Sequence, residues 1–104
     1  MYENIDEVDF ADKLAGNNNA VLLDVRTSEE WDAGFIAGAE KIDFFNPEFP
    51  KLIEELDKKK DYFVYCRSGN RSGKACDLMA SLGFTGVLHN LDGGIMGWTG
   101  ELEY

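Results

Sequence analysis

The sequence predicts an α/β fold built on a mainly parallel sheet of five strands. Two observations lead there. Short apolar runs alternate with helix-period stretches along all 104 residues, the order of successive strand and helix units. The two strongest runs, Ala20-Val21-Leu22-Leu23-Asp24-Val25 and Tyr62-Phe63-Val64-Tyr65-Cys66, are also apolar almost throughout, as strands covered on both faces must be. No linker rich in Pro, Gly or Ser interrupts the pattern, so residues 1–104 read as one domain. At this size folding buries roughly two-thirds of the surface that the unfolded chain exposes, enough for a core without disulfides or a structural metal.

Each element has a local reason. Glu3-Asn4-Ile5 reads as a short opening strand. From Asp6 to Ala15, Val8, Phe10, Ala11, Leu14 and Ala15 recur at helical spacing, with Asp6 as N-cap and Gly16 as the stop. Gly16-Asn17-Asn18-Asn19 is a turn into the first buried strand. Ser28-Glu29-Glu30-Trp31 begins a short helix, and Lys41-Ile42-Asp43 is a weaker strand. Pro50 to Lys58 places Leu52, Ile53 and Leu56 on one helical face, and Lys58-Lys59-Lys60 suits the negative end of its dipole as a solvated terminus. Asn70 to Leu82 is the best-defined helix, burying Ala75, Cys76, Met79 and Leu82 and closed by Gly83. Val87-Leu88-His89 completes the strands.

Composition narrows the function. Twenty acidic side chains against ten basic ones give a net charge of −10, which disfavours binding a phosphate backbone over any broad face, so no nucleic acid partner is expected. No apolar run approaches the roughly 20 residues of a membrane span. The start Met1-Tyr2-Glu3-Asn4-Ile5-Asp6 lacks the basic and apolar regions of a signal peptide. The expectation is a cytoplasmic protein with no membrane partner. Two cysteines and one histidine cannot supply the four ligands of a structural zinc, so no metal is expected and the thiols should stay reduced. No cofactor motif survives either. Gly69 to Ala75 resembles a P-loop, but has three residues between its glycines and Ala75 where a metal-binding hydroxyl belongs; Gly93-Gly94-Ile95-Met96-Gly97 reads as a tight turn before Trp98.

The informative segment is Cys66-Arg67-Ser68-Gly69-Asn70-Arg71-Ser72, at the carboxyl end of a buried strand and the amino end of a helix. Ligand sites of open α/β sheets lie there. Unpaired N–H groups and the helix dipole favour a negative charge, and two of the three arginines in the chain, Arg67 and Arg71, flank the cysteine. A free thiol with a pKa of about 8.5 falls in such surroundings to roughly 3.5–7.5, which makes Cys66 a nucleophile. Arginines so placed imply an anionic substrate or intermediate. Cys76, by contrast, lies on the core face of its helix and reads as packing. His89 reads as a polar strand end.

Taken together, Asp24-Val25-Arg26 with Glu30-Trp31, Gly34-Phe35-Ile36-Ala37-Gly38-Ala39, the loop Cys66 to Ser72, and Leu91-Asp92-Gly93-Gly94-Ile95 with Trp98 resemble a single-domain rhodanese, a sulfurtransferase. The resemblance spans nearly the whole chain in order. It implies a three-layer α/β/α domain and a covalent mechanism: Cys66 takes sulfur from a small anionic donor such as thiosulfate and passes it, through a persulfide, to cyanide, a thiol or a protein acceptor. In that scheme the loop N–H groups from Arg67 through Ser68, Gly69, Asn70 and Arg71 to Ser72 curl around the sulfur. Arg67 and Arg71 hold the donor's oxyanion, Gly69 supplies a positive φ, and Ser72 caps the helix or donates to the sulfur. Asp24 and Arg26 brace the loop. One departure is Phe35, where family members often carry His.

Two rival readings share the resemblance. Phosphatases and arsenate reductases of the same fold need five residues between the nucleophilic Cys and the closing Arg, whereas four separate Cys66 from Arg71 and Ser72 stands where that Arg belongs. A non-catalytic binding module would usually have lost Cys66.

Overall fold

The computed structural model describes residues 2–104. The chain forms β1 (Glu3–Ile5), α1 (Glu7–Ala15), β2 (Ala20–Asp24), α2 (Ser28–Asp32), β3 (Phe35–Ile36), β4 (Glu40–Lys41), α3 (Phe49–Glu54), β5 (Asp61–Tyr65), α4 (Asn70–Ser81), β6 (Leu88–Leu91) and β7 (Leu102–Glu103), with a 3₁₀ turn at Ile95–Gly97. Strands β1-β6-β5-β2-β4 form one parallel five-stranded sheet in that order. The α/β class and the five parallel strands are as the sequence predicts.

Alternation along the central strands sends side chains to two cores, one on each face. Leu23, Val25, Tyr62, Val64 and Cys66 meet Ile53 of α3 and Ala75, Cys76 and Met79 of α4. Leu22, Phe63, Tyr65 and Leu91 meet Phe10 of α1 on the other side. Phe10 stands edge-on to Phe63 and Trp98, with ring centroids 5.5 and 6.2 Å away. The layers are therefore helix, sheet, helix.

Helix α1 starts where predicted, the Asp6 carboxylate accepting the Asp9 N–H at 2.9 Å, a cap worth about 1 kcal/mol. Val8 does not join its buried face and is 66% exposed. Two residues advance a helix by about 200°, so Val8 lies opposite Phe10. Helix α3 is shorter than the apolar spacing suggests and ends at Glu54. The Asp57 carboxylate accepts the Lys59 N–H, and the Asp57 carbonyl accepts the Tyr62 hydroxyl, making a turn there. Lys58, Lys59 and Lys60 thus lie beyond the helix terminus, with Lys58 paired to Glu54.

Two strand positions also shift. The edge strand is Glu40–Lys41 instead of Lys41 to Asp43, because the Asp43 carboxylate turns back to accept the Phe45 N–H. The strand expected at Val87 to His89 begins at Leu88 and runs to Leu91, placing Asn90 and Leu91 beside Asn4 and Ile5. The antiparallel pair β3 and β7, outside the main sheet, has too few residues for a periodic signal. No helix among the described residues is long and apolar enough to cross a membrane.

Candidate active site

Strands β2 and β5 are neighbours in register, Asp24 opposite Tyr65, so the segments leaving their carboxyl ends emerge side by side. After β5 comes Cys66, whose side chain is on the same face as Val64 and 1% exposed. The chain then turns through Gly69, φ +100°, into α4. Only a residue without Cβ takes that conformation freely, and a Cβ there would also stand 3.3 Å from the Leu91 carbonyl.

The turn aims donors at the sulfur. The Gly69 N–H donates to Cys66 Sγ at 3.1 Å and the Ser72 hydroxyl at 3.3 Å. Burial is the largest influence on this thiol and opposes ionisation. The Ser72 hydroxyl and the N–H groups of Ser72, Ser68 and Gly69 together outweigh it, holding the thiol below its ordinary pKa. Ser72, buried in the first turn of α4, spends its hydroxyl on the sulfur; α4 has no side-chain cap. Asn70 opens the helix and is exposed.

The carbonyls of the loop point the other way. The Ile95 N–H donates to the Cys66 carbonyl at 2.9 Å and the Met96 N–H to the Arg67 carbonyl at 3.1 Å. A Cβ on Gly94 would stand 2.3 Å from the Arg67 oxygen, so only glycine lets the two segments approach. The Asn90 amide donates to the Gly69 carbonyl at 3.0 Å and to Asn4 Oδ1 at 2.8 Å. With the carbonyls occupied, the N–H groups are free to face inward, which is how a nest for an anion is made.

The two loop arginines differ. Arg67 is exposed and makes no ion pair among the described residues. Arg71 binds Glu30 at two points, Nη1 to Oε1 at 2.8 Å and Nη2 to Oε2 at 3.0 Å, and its guanidinium lies 5.6 Å from the Phe45 ring centroid. The ion pair brings the Glu30 pKa down to about 2 and raises that of Arg71. Glu30 has a second task, closing a capping box with Thr27 at the start of α2.

Asp24 and Arg26 form a buried ion pair, Nη2 to Oδ2 at 2.8 Å. Arg26 also donates to the carbonyls of Gly34 at 2.7 Å and Glu30 at 3.3 Å. Tyr65 completes the group: its hydroxyl accepts the Ile36 N–H at 3.0 Å, and burial followed by the nearby Asp24 charge raises its pKa. The Asp24 and Arg26 pair therefore holds the segment from Glu30 to Gly34, and Glu30 in turn binds Arg71 of the cysteine loop.

Sequence reasoning singled out the cysteine and its loop; it gave Glu30 only as a motif and helix-start residue and Gly94-Ile95-Met96 only as part of a turn, and assigned Asn90 no role. The Thr27-x-x-Glu30 spacing is a visible capping signal; that the same carboxylate meets Arg71, 41 residues on, is set by the sheet. Cys76 lies in the core as expected, burial pushing its thiol up to about 12. His89 lies in β6, buried, its pKa lowered by burial.

The profile of the Rhodanese-like domain family matches residues 7–101. An Allochromatium vinosum protein named a sulfurtransferase is 36% identical over 98 residues, covering 94% of this chain and 89% of that one. A Bacillus subtilis protein provisionally named a sulfurtransferase is 38% identical over 92 residues, covering 88% and 85%. Among solved structures, a rhodanese-like domain protein from Staphylococcus aureus superposes with a TM-score of 0.83 at 29% identity, over 99% of this chain and 97% of that one.

Proposed function

Because the chain belongs to the rhodanese-like domain family, we propose that it is a sulfurtransferase carrying sulfane sulfur as a persulfide on Cys66. The observation that carries this reading is the buried sulfur of Cys66 facing the Ser72 hydroxyl and the N–H groups of Ser68, Gly69 and Ser72. Such a nest stabilises a thiolate before transfer and a persulfide after it. Kinship with proteins named sulfurtransferases supports the same chemistry.

With thiosulfate as donor, the Cys66 thiolate attacks the outer sulfur, the S–S bond breaks, and sulfite leaves with the electron pair. Cyanide or a thiolate then attacks the outer sulfur of the persulfide, and the Cys66 thiolate is released unchanged. No net oxidation of the protein occurs. Arg67 is the cation open to a donor's oxyanion, while Arg71 reaches one only by sharing or leaving Glu30. Asp24 and Arg26 position α2 and take no part in the bond changes. A cytoplasmic setting suits a mechanism that needs Cys66 reduced.

Against phosphoryl transfer stand the four residues between Cys66 and Arg71 and the engagement of Arg71 by Glu30. The test is intact-protein mass spectrometry of wild type and Cys66→Ala after thiosulfate, then cyanide, with thiocyanate assayed in parallel. The expected result is a one-sulfur adduct on wild type alone, discharged by cyanide. Adduct and turnover on the Ala variant would defeat the reading.

A further inference from the structure

Arg71 is one of two cations expected to receive a charged donor, and it is already occupied. Glu30 holds it at two points, 2.8 and 3.0 Å, and Phe45 covers its guanidinium face. Glu30 is itself fixed, its Oε1 accepting the Thr27 N–H and hydroxyl at 3.3 and 3.1 Å. Its backbone carbonyl is held by Arg26. The carboxylate is built into α2 and does not swing away freely. The charged groups acting on Arg71 are Glu30, Cys66 and Asp24, all negative when ionised. Beside the cysteine, then, the positive charge of Arg71 is largely cancelled, leaving exposed Arg67.

We infer that Glu30 is a donor-selecting residue: by neutralising Arg71 beside Cys66, it tunes the site away from dianionic thiosulfate and toward persulfide donors of low charge. The inference rests on the sulfurtransferase reading and names its substrate class. A dianion entering beside Cys66 meets the Glu30 carboxylate and the thiolate with one uncommitted guanidinium to offset them. A hydropersulfide R–S–SH meets neither penalty. The Cys66 thiolate attacks its terminal sulfur, the S–S bond between that sulfur and the inner one breaks, and R–S⁻ leaves with the electron pair. The proton stays on the transferred sulfur, giving Cys66–S–SH. The apolar ring of Phe45, 66% exposed against Arg71, suits an uncharged R group.

The experiment compares thiosulfate with 2-hydroxyethyl persulfide as donors for wild type, Glu30→Gln and Glu30→Asp, by kcat/KM and by mass gain on Cys66. In Glu30→Gln the ratio of thiosulfate to persulfide kcat/KM should rise on the order of tenfold, as a nearby negative charge is removed. Glu30→Asp, which keeps the charge, should stay within about twofold of wild type. Alkylation of Cys66 against pH should show a lower apparent pKa in the Gln variant, a readout that a purely structural role would not move in that direction. An unchanged or falling ratio in Glu30→Gln would mean that Glu30 only holds Arg71 in place for an oxyanion, and the inference fails while sulfur transfer stands. Failure of both donors to add mass to wild-type Cys66 would overturn both.

Discussion

Cys66 and Cys76 are ten positions apart and packed in the same core, yet one thiol is held below its ordinary pKa and the other well above it. Around Cys76 there is desolvation and a nearby Asp77, and the thiol is driven up to about 12. Around Cys66 the same desolvation is outweighed by four donors. At neutral pH, iodoacetamide should therefore label one thiol of the folded protein and both after denaturation, with peptide mapping placing the first label on Cys66. Ser72→Ala deletes one donor and leaves the N–H groups. The apparent pKa of Cys66 should rise, and each unit of rise lowers the alkylation rate about tenfold at a pH below both values. Because the native pKa of Cys66 is depressed, sulfur loading should persist below the range of a free thiol and decline as pH falls through the depressed value. Cys66 was legible in the sequence because its neighbours are consecutive in the chain. Glu30 was not, because its partner is brought to it by the pairing of β2 with β5.

The elements that carry the site are ordered by contacts that repeat no pattern. Strands β2 and β5 were readable from their apolar runs, and α4 from its spacing and the glycine after it. The 3₁₀ turn at Ile95–Gly97 was readable as a turn, but its N–H groups also tie down the Cys66 and Arg67 carbonyls. Gly94→Ala tests that contact. A Cβ at 2.3 Å from the Arg67 oxygen, in a residue of φ +63°, must displace the loop. The expected outcome is slower alkylation of Cys66 together with a lower melting temperature. Asp24→Asn tests the brace beneath α2. It leaves Arg26 buried without its counter-charge, a change that costs about 3–5 kcal/mol. Chemical denaturation should show that loss. The Asp24 and Arg26 pair was legible as structural from its place at a strand end, although its target, the carbonyls of Gly34 and Glu30, was not.

Across the molecule, acidic side chains set the response to pH. Glu30 is held near 2 by Arg71; Asp61 is lowered by the Asn17 side chain, and Glu7 by Thr99. Each has a native pKa below its unfolded value, so its contribution is present above the unfolded value and is lost as pH falls through the native one. For Glu30 the window runs from about 4.5 down to about 2. Denaturant midpoints should show wild type and Glu30→Gln converging as pH falls through that window. The order of strands also has a bearing on time. Cys66 lies in the middle of the chain, but the turn that frees its N–H cage comes 29 residues later, at Ile95. A growing polypeptide that has reached only α4 carries an unassembled thiol of ordinary acidity. Reactivity arrives last, once the later segment has docked, so an unfinished chain is spared the oxidation to which a premature thiolate would be open.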